Sequence, residues 1–320
     1  MTNNKIKIVY FGTPSIALST IEYLYTKEDI EIAAVVTQPD RPAGRGHKIM
    51  QSPIKEFALS HNIEVLQPEK IRTDKDCIER LKQISPDFFV TFAFGQILSQ
   101  EILDIPKNAT INLHGSLLPK YRGANPIQRC IYNGDCETGI TTMITRLELD
   151  SGPICLQQKI PLSKDTTSLE LEKIISEESP FLIYRTLKGL EAGTIIPTEQ
   201  DSGCVCFADK FKKEDARIDW NDSSKDIHNK VRAFANKPNA FIIHNNKNVK
   251  ILETQCLEVC SDGNCQTGEI VKVSKEGIEV RTKDGSILIK KVRPESKNEM
   301  SGADWANGMK FKAHDSLKEE

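Results

Sequence analysis

The sequence lacks the signatures of membrane proteins and of two large classes of nucleotide-dependent enzymes. No run approaches the roughly 18 consecutive apolar residues of a membrane span, and MTNNKIKIVYFGTP does not have the layout of a secretory leader. The first strand-to-helix turn reads FGTPS, without the G-x-G-x-x-G fingerprint, and no G-x-x-x-x-G-K-[ST] phosphate loop occurs. We therefore expect a cytoplasmic protein that uses neither nicotinamide nor P-loop nucleotide chemistry.

Cysteine spacing and net charge are also uninformative about ligands. The nine cysteines are scattered, which is typical of reduced thiols in the cytoplasm. Cys256, Cys260 and Cys265 lack paired C-x-x-C spacing and a convergent pair of histidines, so we expect no metal. The net charge of −2 indicates no particular partner, although local patches could still serve a nucleic acid.

The first half of the chain alternates strand and helix signals. The apolar segments KIKIVYF, EIAAVVT, DFFVTFA and ATINLHG alternate with helical patterns such as Asp74–Ile84 and Thr166–Leu190. This alternation predicts an α/β fold with a doubly wound, mostly parallel sheet. In such sheets ligands bind beyond the carboxyl ends of the strands.

The second half of the chain has a different pattern of secondary-structure signals. Residues 192–209 mix Gly, Pro, Thr and Ser with little periodicity and are interpreted as a linker between a domain at 1–191 and a domain at 210–320. In the latter, short strands at NAFIIH, NVKILET, GEIVKV, GIEVRT and SILIKKVR are separated by Asn and Gly turns. That spacing predicts a small OB-like β-barrel.

The segment INLHGSLLPKYRGANPI holds the strongest candidate site. Residues two apart on a strand point to the same side, so Asn112 and His114 project together where the strand ends. Asp150 lies in a turn, LDSG, after a later strand. An amide, an imidazole and a carboxylate form an acid/base and oxyanion-binding set that needs no metal. The residues alone leave open a structural Asn and His beside an ordinary Asx turn.

A basic loop follows the second predicted strand. The segment TQPDRPAGRGHKIMQSPIK, Thr37 to Lys55, carries Arg41, Arg45 and Lys48 among three prolines and two glycines. It is either a solvated loop or a mobile loop that binds phosphate.

The order of these motifs is similar to that of a known family. FGTP, TQPDRPAGRG, INLHGSLLPKYRGANPIQ, LDSG and KEDARIDW occur at matching spacing, and the chain resembles the methionyl-tRNA formyltransferases over nearly its whole length. The resemblance implies a Rossmann-like formyltransferase domain followed by a tRNA-binding domain. It implies transfer of a formyl group from 10-formyltetrahydrofolate to the α-amine of methionyl-initiator tRNA, for translation initiation.

The resemblance also assigns roles to residues. It makes Asn112, His114 and Asp150 catalytic. It implies folate binding by Ser116, Leu117, Leu118, Pro119, Phe92, Phe94, Gly95 and Ile97. It implies contacts to the tRNA acceptor stem from Arg41, Arg45, Lys48, Lys290, Lys291 and Arg293. We expect a monomer with no membrane attachment and no obligate protein partner.

Three alternatives remain at this stage. A formyltransferase acting on glycinamide ribonucleotide or an amino sugar would share the three catalytic residues but lack the basic loop and the barrel. A formyltetrahydrofolate hydrolase would use water in place of the amine. A non-catalytic RNA-binding protein would keep the barrel beside an inactive enzyme domain.

Overall fold

The computed structural model describes residues 5–43, 48–257 and 264–318 and divides the chain into two compact units. The first unit comprises Met1–Pro126, Glu137–Pro161 and Glu172–Ala208. The second comprises Ile127–Cys136, Leu162–Leu171 and Asp209–Glu320.

The regular elements of the described residues follow one another in the order that the sequence predicts, with a few additions. They are β1 (Ile6–Gly12), α1 (Leu18–Tyr25), β2 (Ile30–Val36), β3 (Arg41–Ala43), β4 (Lys48–Met50), α2 (Pro53–Ser60), β5 (Glu64–Leu66), α3 (Lys75–Ile84), β6 (Phe88–Phe92), α4 (Gln100–Leu103), β7 (Ala109–His114), β8 (Arg122–Gly123), α5 (Pro126–Tyr132), β9 (Glu137–Ile144), β10 (Ile154–Pro161), α6 (Ser168–Glu191), β11 (Phe207–Ala208), α7 (Ser224–Ala233), β12 (Phe241–His244), β13 (Lys247–Leu257), β14 (Ile270–Ser274), β15 (Gly277–Arg281), β16 (Ser286–Pro294), β17 (Met300–Ser301) and α8 (Gly302–Met309).

The first unit is built on a seven-stranded sheet with the order β10-β9-β7-β6-β1-β2-β5. Strands β5, β2, β1, β6 and β7 are parallel, whereas β9 and β10 add antiparallel strands at one edge. All five residues of β6 are buried, as expected for a strand covered on both faces. The predicted doubly wound, mostly parallel sheet is confirmed. Since the chain leaves β1 toward β2 and later returns to β6, the carboxyl ends of β1 and β6 flank the switch point where such folds bind ligands.

Local sequence signals fix the helices of this unit. The hydroxyl of Ser52 accepts a hydrogen bond from the amide of Lys55, and Pro53 takes the first position of α2. The carboxylate of Asp74 accepts one from the amide of Cys77 at the start of α3. These caps satisfy amides that have no partner within their own helix.

The second unit contains the predicted antiparallel β domain. Its sheet has the order β12-β13-β16-β15-β14, with β17 paired to β16. Apolar side chains of α7, α8 and the sheet share one core, which includes Trp220, Ile227, Ile289 and Trp305. The short helix α8 is an addition to the predicted elements.

Two segments differ from their sequence interpretation. Residues 192–209, interpreted as a linker, include a 3-10 turn at Ser202–Cys204 and strand β11, which pairs with β8. They are tied to the first unit because their backbone groups find partners there. The basic segment Thr37 to Lys55, interpreted as either a solvated loop or a mobile phosphate-binding loop, contains an antiparallel pair, β3 and β4. Among the described residues, no helix is both long and apolar enough to span a membrane.

Candidate active site

Asn112 and His114 lie at the carboxyl end of β7, next to β6. Asn112 is paired with Thr91 in the register of the two strands. The hydroxyl of Thr91 donates a hydrogen bond of 2.7 Å to Oδ1 of Asn112. Because this bond uses the oxygen of the amide, it orients the NH2 group as the donor that Asn112 can offer a ligand.

His114 is buried and is held at both ring nitrogens. Its Nε2 lies 2.8 Å from the carbonyl oxygen of Tyr121. A carbonyl can only accept, so Nε2 carries a proton. Its Nδ1 lies 3.5 Å from Oδ2 of Asp150. The three predicted catalytic residues therefore include a direct His114–Asp150 pair.

Asp150 is held in the turn between β9 and β10. Its backbone has a φ of +48°, in the left-handed region that Asp tolerates better than most residues. Its Oδ2 accepts a hydrogen bond of 2.8 Å from the amide of Gly123. A Cβ atom at Gly123 would meet the carbonyl oxygen of Ala208 at 2.9 Å, and its φ is +117°. Glycine is thus required where the chain brings this amide to the carboxylate.

Gln200 is a residue of this site that sequence reasoning missed. Its Nε2 donates hydrogen bonds of 2.8 Å to the carbonyls of both Asp150 and Gly152. Its Oε1 accepts bonds of 3.0 Å and 2.9 Å from Nε and Nη2 of Arg122, which is itself buried. Gln200 therefore connects the turn that carries Asp150 with the strand that carries Gly123. It lies in the segment interpreted as a linker, where no motif marked it.

Cys206, from the same segment, also contacts the site. The amide of Tyr121 donates to its Sγ at 3.3 Å. Tyr121 has a φ of +62°, and it is the residue whose carbonyl receives Nε2 of His114. Two residues of segment 192–209 thus support the partners of the His114 ring. Cys206 contacts Tyr121, and Gln200 contacts Asp150.

The predicted folate loop is internally bonded. Ser116 donates from its hydroxyl to the carbonyl of Lys120 at 2.6 Å and is fully buried. The hydroxyl of Thr141 donates to the carbonyl of Ser116 and accepts from the amide of Leu118. Leu118 is buried, whereas Leu117 and Pro119 are half-buried. The two half-buried residues are therefore the ones that can offer an apolar surface to a ligand.

The remaining predicted folate residues divide between the core and a separate cavity. Phe92 is buried in β6. Phe94, Gly95 and Ile97 line a cavity of about 910 Å³ in the first unit, and Ile97 is 71% exposed. The predicted folate residues Ser116, Leu117, Leu118 and Pro119 are not among the residues that line this cavity, and neither are Asn112, His114 and Asp150.

The same cavity has a basic side. Arg41, Lys70 and Arg72 line it, and all three are exposed. Arg45 lies outside the described residues, and Lys48 is described only as the first residue of β4.

Lys55, at the end of the basic segment, is already paired. Its Nζ lies 2.6 Å from Oδ2 of Asp40. The hydrogen bond from Lys55, followed by that from Gln67, holds the pKa of the Asp40 carboxyl below its ordinary value. Lys55 therefore stabilises the start of the basic segment.

The predicted basic residues of the second unit lie on β16 next to carboxylates. Lys290 is 3.3 Å from Glu253, while Lys291 and Arg293 are 3.0 Å and 3.4 Å from Glu299. Together they line a cavity of about 810 Å³ in that unit. Exposed pairs of this kind contribute little to stability, so a polyanion can compete for these cations.

Comparison with known proteins supports a single family for the whole chain. The family model described as "Formyl transferase" matches residues 4–187, and the one described as "Formyl transferase, C-terminal domain" matches residues 210–310. A methionyl-tRNA formyltransferase of Clostridium tetani is 43% identical over 96% of this chain and 97% of its own length. A methionyl-tRNA formyltransferase of Fusobacterium nucleatum is 40% identical over 98% of this chain and 100% of its own.

Solved structures share the fold at lower identity. An N-formyltransferase from Helicobacter canadensis, in complex with folinic acid and dTDP-3-aminofucose, has a TM-score of 0.65 at 20% identity, covering 89% of this chain and 98% of that one. HypX from Aquifex aeolicus in complex with tetrahydrofolic acid has a TM-score of 0.61 at 17% identity, covering 98% of this chain. The chain spans about half the length of HypX (50%).

Proposed function

The chain belongs to the methionyl-tRNA formyltransferase family, and we propose that it transfers the formyl group of 10-formyltetrahydrofolate to the α-amine of methionyl-initiator tRNA, for translation initiation. The observation that carries the chemistry is the direct approach of His114 to Asp150 at the strand end that also presents Asn112. The curated relatives favour the tRNA as acceptor, since their identity to this chain is about twice that of the N-formyltransferase from Helicobacter canadensis.

In this proposal Asn112 and His114 stabilise the oxyanion that forms when the neutral amine attacks the formyl carbon. Asn112 offers its NH2 group, which Thr91 orients by binding the amide oxygen. His114 exchanges its Nε2 bond to Tyr121 for a bond to the oxyanion. A donor already fixed in place, as the Asn112 amide is, stabilises such charge without reorganising during the reaction, and one such donor is worth on the order of 10²–10³ in rate.

In this proposal Asp150 is the group that transfers protons. Its carboxylate balances the charge on His114 and accepts the proton that the attacking nitrogen loses. The oxyanion then re-forms the carbonyl of the new formamide while the bond from the formyl carbon to N10 of the folate breaks, and N10 takes up the proton that Asp150 accepted. The amide of Gly123 and the bonds of Gln200 keep Asp150 in position for this step.

The binding roles follow the distribution of apolar and basic surface. Leu117, Pro119 and Ile97 give the folate apolar surface on either side of the strand ends, whereas Phe94 is buried in the core. Arg41 supplies charge for the acceptor stem, together with the other basic residues predicted from sequence. We expect the protein to act as a cytoplasmic monomer.

One assay tests the acceptor. The protein is incubated with labelled formyl donor and, separately, methionine-charged initiator tRNA, uncharged tRNA, glycinamide ribonucleotide, a dTDP-linked amino sugar, or water alone. We expect label only in the charged tRNA. Label in a small amine, or release as formate without acceptor, would contradict the proposal.

A variant tests the tRNA contact at the basic segment. Arg41→Ala removes one exposed cation, so we expect weaker tRNA binding and a salt dependence whose log–log slope falls by about 1. The matched control is Arg80→Ala. Arg80 is also exposed, but it pairs with Glu64 and is not a predicted tRNA contact. Equal tRNA affinities for both variants would argue against a role for Arg41.

A further inference from the structure

Three potential metal ligands converge in the second unit, away from any residue used above. Cys265 and Glu269 flank the turn that leads into β14, and His314 comes from the segment after α8. The Sγ of Cys265 lies 3.6 Å from Nδ1 of His314, which lies 3.9 Å from Oε2 of Glu269. All three ligand atoms lie within 4.8 Å of one another.

These separations match a tetrahedral zinc site. With Zn–S, Zn–N and Zn–O bonds of about 2.3, 2.0 and 2.1 Å, tetrahedral geometry separates sulfur from nitrogen by about 3.5 Å and nitrogen from oxygen by about 3.4 Å. The observed sulfur-to-nitrogen distance of 3.6 Å is close to its value, whereas the nitrogen-to-oxygen distance of 3.9 Å is about 0.5 Å longer. Side-chain movements of Glu269 and His314 toward Cys265 would close this difference.

The backbone fixes the ligands from both sides. The amide of His314 donates to the carbonyl of Ile270 at 2.8 Å, and the amide of Ile270 donates to the carbonyl of Asp315 at 2.9 Å. His314 has a φ of +70°, in the left-handed region of the backbone map. The amide of Gln266 donates to Oε2 of Glu269 at 2.9 Å and so orients the carboxylate, as outer-shell partners of metal ligands do.

The donor types select the class of ion. Thiolate and imidazole favour zinc and similar transition metals, whereas magnesium and calcium prefer sites made of oxygen alone. Cys265 is 7% exposed, while the side chain of His314 is 56% exposed, so an ion can enter from the solvent side and reach the sulfur.

We propose that Cys265, Glu269 and His314 bind one zinc-class ion, with water at the fourth position, and that this ion fastens the C-terminal segment to the start of β14. Coordination replaces the thiol proton, which leaves to solvent. No metal was predicted from the sequence, because Cys256, Cys260 and Cys265 lack paired C-x-x-C spacing and a convergent pair of histidines. The histidine that meets Cys265 in the fold lies 49 positions away in the chain.

The test uses the full chain, stripped with a chelator and dialysed. Zinc binding is measured by competition with a chromophoric chelator, and cobalt is used as a probe of thiolate coordination through its sulfur-to-metal charge-transfer band. The variants are His314→Gly, which suits the positive φ, and Cys265→Ser. The matched control is Cys136→Ser, an exposed thiol outside the cluster.

We expect one zinc per chain in the wild type and in Cys136→Ser. Loss of either ligand should weaken binding at least about 100-fold, more than the loss of an outer-shell partner. Zinc should also slow hydrogen exchange at the amide of Leu317, which is bonded to Gly268, in the wild type and in Cys136→Ser but in neither ligand variant. Absence of stoichiometric binding, or binding that His314→Gly and Cys265→Ser leave unchanged, would overturn the proposal.

Discussion

Two buried histidines, one in each unit, have partners of the same kinds but different surroundings. His114 has a carbonyl at Nε2 and the carboxylate of Asp150 at Nδ1. His228 has the carbonyl of Lys164 and the carboxylate of Asp165 at Nε2, at 3.2 Å and 3.3 Å, and the hydroxyl of Thr254 at Nδ1. Burial of an imidazole beside a carboxylate is thus not what distinguishes the candidate active site.

The difference lies in the carboxylate and in the nearby charge. Asp150 is only 13% exposed and is fixed by Gly123, whereas the side chain of Asp165 is 65% exposed. Burial, followed by the positive charge of Arg232, lowers the pKa of His228. An anchored carboxylate beside His114 suits the role proposed for that pair, whereas Asp165 is exposed and the lowered pKa of His228 favours its neutral form.

The largest effect should come from removing the charge of Asp150. Asn tolerates the positive φ and keeps the size of the side chain, so Asp150→Asn isolates the charge. We expect kcat/KM to fall by about 10²–10⁴-fold with tRNA affinity unchanged. The matched variant, Asp165→Asn at His228, should change kcat/KM by less than about twofold, because that pair is solvent-screened. Similar losses in both variants would break the comparison.

The next effect should come from the residue that anchors the Asp150 turn. Gln200→Ala removes two bonds to carbonyls and leaves Arg122 without its amide partner. Because small misplacements of catalytic groups are costly, we expect kcat to fall by about 10–100-fold while KM for the tRNA changes little. Gln158→Ala is the control, since Gln158 bonds to Glu178 instead. An unchanged kcat would show that Asp150 needs no support from Gln200.

A smaller effect should follow from loosening the Asn112 amide. Thr91→Val removes the hydroxyl that binds Oδ1, and losing one neutral hydrogen bond is worth about 1 kcal/mol, so we expect kcat to fall by about 2–10-fold. Thr110→Val is the matched control in β7, because the buried hydroxyl of Thr110 has no hydrogen-bond partner among the described residues. If both variants lower kcat equally, packing rather than amide orientation is responsible.

The smallest effect concerns the contribution of His228 to the pH dependence of the free energy of unfolding. The lowered pKa means that the unfolded chain binds a proton below about pH 6.5, while the folded chain does not. Stability should therefore fall with decreasing pH, by at most about 1.4 kcal/mol per pH unit from this residue. His228→Gln cannot protonate, so urea unfolding at about pH 7.5 and about pH 5.5 should show a shallower loss than in the wild type. Identical pH slopes would mean that His228 is not kept neutral by folding.

Much of the fold was predictable because strand and helix periods are local. The spacing of Asn112 and His114 placed both on one side of β7, and the helical pattern of Asp74–Ile84 matches α3 with Asp74 as its cap. The roles of Asn112, His114 and Asp150 remain predictions, as do those of the folate and tRNA residues.

Residues that connect distant segments were not predictable. Gln200 and Arg122 are 78 positions apart, and the segment that contains Gln200 has the composition of a linker. A buried polar group must be paired, but many side chains can satisfy it, so the sequence carries no pattern for its partner. The predicted folate residues Phe92 and Ser116 were placed in the core for a similar reason: the strand and loop needed them for packing and internal bonds.

The sequence by itself determined the alternation of strands and helices, the placement of an amide and an imidazole at one strand end, and the resemblance to a family. Only the tertiary structure decided which carboxylate faces which histidine, that Gln200 supports Asp150, and that His314 meets Cys265. The reason is that backbone periodicity is written in neighbouring residues, whereas side-chain partners are fixed when distant segments fold together.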